Sequence, residues 1–183
     1  MKKLISSLQV NSVSCAADFW TVLLFFFAGV LFGTYASGHL SNLFASVAEV
    51  GKVPAGGLPS FLFENLKFQI TAFLFAFFLF GFLLLPFLSF LFAYVYSYAF
   101  CTCFLSAAAF SSYAVYLLLF FLSVPLTIFL FADCLRISLR YYCAAIRRIG
   151  DARPNGRELL RPAVLFSLLL LLDAAAYFIL CFH

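Results

Sequence analysis

Asp173 is the residue of this chain whose position most demands a chemical explanation. It lies 12 residues beyond Arg161, inside the apolar stretch from Pro162 to Phe182, which puts it about 18 Å along a helix and near the middle of a hydrocarbon core about 30 Å thick. An ionisable group at that depth is costly and marks a functional site by default. An intramembrane aspartyl protease would need a second carboxylate at matching depth. The other candidate, Asp133, stands at the edge of its own apolar stretch, so the two depths disagree. The six cysteines (Cys15, Cys101, Cys103, Cys134, Cys143 and Cys181) are scattered and keep no metal-ligand spacing with either His39 or His183. Cys101 and Cys103 point about 200 degrees apart on a helix and cannot form one site. No nucleophile-base-acid set, zinc motif, phosphate loop or dinucleotide fingerprint is present. The sequence therefore predicts no catalytic residue, no metal site, no cofactor and no enzyme.

Two readings of Asp173 stay open. It is a functional carboxylate, or it stays protonated and hydrogen-bonds a tyrosine such as Tyr94 or Tyr98, holding its helix to the bundle or to a partner. Tyr94, Ser97, Tyr98 and Cys101 recur at three- and four-residue spacing, and hydroxyls in lipid need partners, so this face is expected to point inward.

The elements that position these groups follow from hydropathy. Hydrophobic residues make up 66% of the 183, 28 of them Phe, and only 10% are charged; mean hydropathy is +1.13. Such a chain has too little polar surface to cover a soluble globule. From Phe68 to Phe110 there are 43 residues without Asp, Glu, Lys, Arg or His, interrupted by Pro86. That is long enough for two crossings folded back at the proline. Three further apolar stretches bring the expected total to five helices, at about 20–39, 67–85, 87–109, 112–135 and 162–182. The expected fold is a single all-α, polytopic membrane domain of residues 1–183, with an external loop at 40–66 and a basic segment at 136–161.

Basic residues in short loops are retained on the cytoplasmic side. Lys2 and Lys3 precede the first stretch and seven arginines (Arg136, Arg140, Arg147, Arg148, Arg153, Arg157 and Arg161) lie between the fourth and the fifth, leaving only Lys52 and Lys67 elsewhere. Five crossings put nine of these eleven on one side, so the N-terminus is expected inside and the C-terminus outside. The same charges account for the pI near 8.8, and no aromatic-basic readout motif accompanies them, so nucleic acid is not an expected partner.

In the first helix, Gly29, Gly33 and Ser37 recur every four residues. They form a small-residue stripe that lets another helix, of this chain or of a partner, approach closely. The loop between the first two helices is rich in turn residues around Gly51 to Pro59. After it, residues 61–68 read as a short amphipathic segment lying on the outer surface. The fourth helix is expected to continue past the bilayer. Asp133, Arg136, Arg140, Arg147 and Arg148 make its charged, mostly basic end, read either as a solvated topological anchor or as a cytoplasmic docking ledge for a soluble partner or anionic lipid.

The order of these features resembles the stage II sporulation protein M family. The resemblance is carried by Phe26, Gly29 and Gly33 in the first helix, by Asn65, Leu66 and Lys67 at the end of the external stretch, by Gly81 and Pro86, and by the basic loop before the last of five spans. It covers residues 20 to 182. Val95 and Ala99 stand where such proteins carry a second run of glycines, which leaves close packing at the third helix less assured. The resemblance implies a non-enzymatic scaffold of the bacterial plasma membrane in endospore formation. Its implied role is to assemble peptidoglycan-degrading partners during engulfment of the forespore, and it is compatible with a homo-oligomer. The alternative is a permease subunit of an ABC-type exporter. It would dock an ATPase through the Arg136–Arg161 segment and line its path with Tyr94, Ser97, Tyr98 and Asp173.

Overall fold

The computed structural model describes residues 2–39, 57–105, 110–146 and 156–182; side chains are described over 17–38, 57–101, 121–146 and 156–181, except 157 and 180. The expected loop up to residue 56, Arg147, Arg148 and the side chains of Lys2 and Lys3 lie outside this set. Every described element is a helix: α1 (Lys2–His39), α2 (Gly57–Ala76), α3 (Gly81–Leu105), α4 (Phe110–Ile146) and α5 (Gly156–Phe182). An apolar chain in lipid has to satisfy its backbone groups internally, and an α-helix does so within one segment.

Ala17–Gly38, Gly81–Cys101, Phe121–Ile146 and Glu158–Ile179 are each long and apolar enough to cross a bilayer. The protein is therefore an all-helical membrane protein with several membrane-spanning segments. α2 is about 30 Å long by its 20 residues but carries Glu64 and Lys67 on exposed positions in its middle.

Two boundaries differ from the sequence expectation. Residues 61–68 do not lie apart as a surface segment. They are the first half of α2, because Phe61 and Leu66 are buried in the bundle and leave only Phe63, Glu64 and Lys67 exposed. The reversal also does not fall at Pro86, which is inside α3 near its start. One missing N–H is tolerated there, where flanking turns and neighbouring helices re-satisfy the backbone. The chain turns instead at Phe77 to Phe80, through tight backbone bonds such as Phe77 N–H to Leu74 O at 3.1 Å and Gly81 N–H to Phe78 O at 3.0 Å. Gly81 permits this, since a Cβ at that position would run into the carbonyl of Phe75 and lie 2.9 Å from Ser138 Oγ.

α4 is the centre of the bundle and packs on every other helix. Around it run α1, α3, α2 and α5 in that order, each touching the next, while α1 and α5 do not pack on each other among the described residues. Successive helices alternate in direction. The α2–α3 turn sits beside the later part of α4, where Ser138 Oγ donates to Phe78 O at 2.9 Å and the rings of Phe82 and Tyr142 lie 4.6 Å apart. At the opposite end Phe61 of α2 meets Tyr177 of α5 at 5.5 Å. The core is filled by Val22, Leu85, Phe92, Leu130, Phe131, Leu135 and Leu169, all buried. Helices in lipid gain little from hydrophobic transfer between one another, so dense packing and buried hydrogen bonds hold the bundle.

Candidate functional site

Six charged residues converge at one end of the bundle. Asp18 comes from the start of the membrane segment of α1, Asp133, Arg136 and Arg140 from successive turns of α4, and Glu158 and Arg161 from the first turns of α5. Arg136 holds Asp18 through Nε to Oδ2 at 3.5 Å and Asp133 through Nη1 to Oδ1 at 3.6 Å. Arg161 Nε approaches Asp133 Oδ2 at 3.0 Å, and Arg140 pairs with Glu158. Asp133 is thus the hub: its side chain is 7% exposed and takes one guanidinium from its own helix and one from α5. The chain Asp18–Arg136–Asp133–Arg161 links α1 to α5, two helices that do not pack on each other among the described residues.

Asp133, Arg136, Ile137, Arg140, Glu158 and Arg161 line a cavity of about 210 Å³. Its lining offers guanidinium donors and carboxylate acceptors and no nucleophile. The arrangement can clamp helices and can hold a charged group. Removing one partner from a largely buried ion pair costs about 3–5 kcal/mol, because the other charge is left uncompensated. A half-exposed pair contributes about 1 kcal/mol or less.

The small-residue stripe of α1 lies against α3. A methyl group on Gly29 would strike the Phe90 carbonyl and come within 2.9 Å of Ala93 Cβ, and one on Gly33 would strike Ser97 Oγ and the Tyr94 carbonyl. The approach uses Ala93 and Ser97 on α3, so Val95 and Ala99 are not needed as glycines there. Ser37 is buried and its hydroxyl donates to Thr34 O at 2.7 Å. Ser97 and Tyr98 are buried and Tyr94 is half-buried; Ser97 Oγ bonds back to Tyr94 O at 3.2 Å. Ser97 Oγ lies at the α1–α3 contact, and the rings of Tyr94 and Tyr98 stack along α3 with centroids 6.5 Å apart.

Asp173 does not meet them. It is half-buried on α5, and α5 packs on α2 and α4 but not on α3 among the described residues. Hydrogen bonding of Asp173 to Tyr94 or Tyr98 is therefore corrected: α2 and α4 stand between the two helices.

Sequence reasoning missed a second polar contact, in the interior. Gln69 of α2 and Thr127 of α4 are both buried, with the amide and hydroxyl 3.2 Å apart. Next to them Tyr96 of α3 donates to Asn65 O at 3.2 Å. Gln69 and Thr127 each interrupt an apolar run, and that interruption was the available signal. Asp18 and Glu158 were missed as partners of the arginines because no local spacing connects them. Comparison with family models, curated proteins and solved structures gives no match for the chain.

Proposed function

We propose that this protein is a non-catalytic, multi-pass membrane scaffold that assembles other membrane-anchored or extracytoplasmic proteins. The observation that carries the reading is the tightness of the bundle interior. Gly29 and Gly33 sit against α3 with no room for a methyl group, buried Phe92 of α3 packs on buried Phe131 of α4, and on the hydroxyl-bearing face of α3 Ser97 and Tyr98 are buried and Tyr94 is half-buried. A permease path along those hydroxyls would require them to face water. Docking of an ATPase on the basic ledge would compete with the two carboxylates that already hold Arg136.

All five helices cross the bilayer in this reading, with the charged end and the N-terminus inside and the C-terminus outside. Support comes from their alternating direction and from Arg136, Arg140 and Arg161 gathering at one end. The resemblance to stage II sporulation protein M makes peptidoglycan-degrading proteins the proposed partners and the bacterial plasma membrane the proposed location. Asp173, with no tyrosine of α3 in reach, is assigned to a partner helix.

The test is crosslinking and mild-detergent recovery of the tagged protein from starved cells. Recovery of peptidoglycan-degrading proteins is expected, and their yield is expected to fall with Asp173→Leu while the isolated bundle melts as the parent does. Recovery of an ATPase in their place would favour the permease.

A further inference from the structure

One face of α4 carries Leu122, Pro125, Phe129, Asp133, Arg136 and Arg140 at three- and four-residue spacing, so these six share a stripe about 80 degrees wide. The same stripe meets α1 on one side, through Phe19 on Phe129 at 5.3 Å and Asp18 on Arg136. On the other side it meets α5, through Arg161 on Asp133. It therefore faces the gap that α1 and α5 leave by not packing on each other. In the membrane-spanning half of that gap α4 is exposed, at Leu122, Pro125 and Phe129. At its end the gap runs into the cavity of about 210 Å³ lined by Arg136, Arg140 and Arg161.

We infer that this cleft holds one anionic phospholipid, with an acyl chain along Leu122, Pro125 and Phe129 and its phosphate at Arg140 and Arg161. Length and charge both point to this occupant. From Pro125 to Arg140 the helix rises about 22 Å, which matches one leaflet of a bilayer about 40–45 Å thick with its headgroups. The charged residues lining the cavity are three arginines against two carboxylates, Asp133 and Glu158. The side chains of Arg140 and Arg161 are 45% and 57% exposed. Each guanidinium has five N–H donors, more than its one carboxylate contact engages. A phosphate oxygen takes such donors in the fork geometry that arginine provides. The inference rests on the chain being embedded in a bilayer and is independent of the scaffold role and its partners.

The test is native mass spectrometry of the purified full chain, comparing phosphatidylglycerol with phosphatidylethanolamine of the same acyl length. Preferential retention of one phosphatidylglycerol is expected, falling about tenfold or more in the Arg140→Gln, Arg161→Gln double variant. Glu158→Gln is expected to raise retention, since it removes the carboxylate that competes for Arg140. A merely structural ion pair would give the opposite or no change, and a thermal melt of each variant separates lost binding from lost fold. Equal retention of the two lipids, retention unmoved by the arginine variants, or a second copy of the chain seated in the cleft in place of lipid would overturn the inference. Complete displacement by millimolar inorganic phosphate would also overturn it, leaving a bare anion site.

Discussion

Asp133 has the greatest leverage of the described side chains, since two guanidiniums depend on one buried carboxylate. Asp133→Asn is expected to destabilise the bundle by about 1.5–3 kcal/mol, since it takes one charged acceptor from both Arg136 and Arg161, read as a lower midpoint when the detergent-solubilised protein is titrated with a denaturing detergent. Arg140→Gln is expected to cost about 1 kcal/mol or less in the same titration, because that arginine is 45% exposed. A reversal of this order would mean that the hub lies elsewhere. Gly33 acts by absence of bulk: Gly33→Leu would drive a side chain into Tyr94 and Ser97, at a cost of about 1–3 kcal/mol or more. Unchanged stability of Gly33→Leu would contradict the close α1–α3 seam.

Among the elements, the α2–α3 hairpin separates what a sequence reveals from what it conceals. The long apolar run and its division in two are legible in hydropathy alone, as are the small-residue stripe of α1 and the basic end of α4. The turn is not legible, since Phe77, Phe78, Leu79 and Phe80 have no turn preference, whereas Pro86 is a conspicuous breaker. What locates the turn is a steric demand at Gly81 that only the folded neighbours Phe75 and Ser138 create. The charged cluster is hidden for a similar reason. Its members are far apart in the chain, and only the placement of α1 and α5 on one face of α4 brings Asp18 and Arg161 to the same hub. Replacing each residue of the hairpin in turn is therefore informative: Gly81→Val is expected to lower the unfolding midpoint by the equivalent of about 1–3 kcal/mol. Pro86→Ala is expected to leave it unchanged or raise it, as a helix-interior proline becomes a good helix former. If Pro86→Ala proved the damaging change, the reversal would belong at the proline.

At the scale of the molecule, one central helix touched by all four others makes α4 the element on which the arrangement depends. The alternation of helix direction, with Arg136, Arg140 and Arg161 gathered at one end, is the support for the proposal of five crossings with that end inside. The most direct test is thiol labelling in intact cells, using single cysteines introduced as Lys52→Cys and Asn155→Cys in a background without the native cysteines. A membrane-impermeant reagent is expected to reach residue 52 from outside and residue 155 only after the membrane is opened. Labelling of both from the same side would contradict the five-crossing bundle.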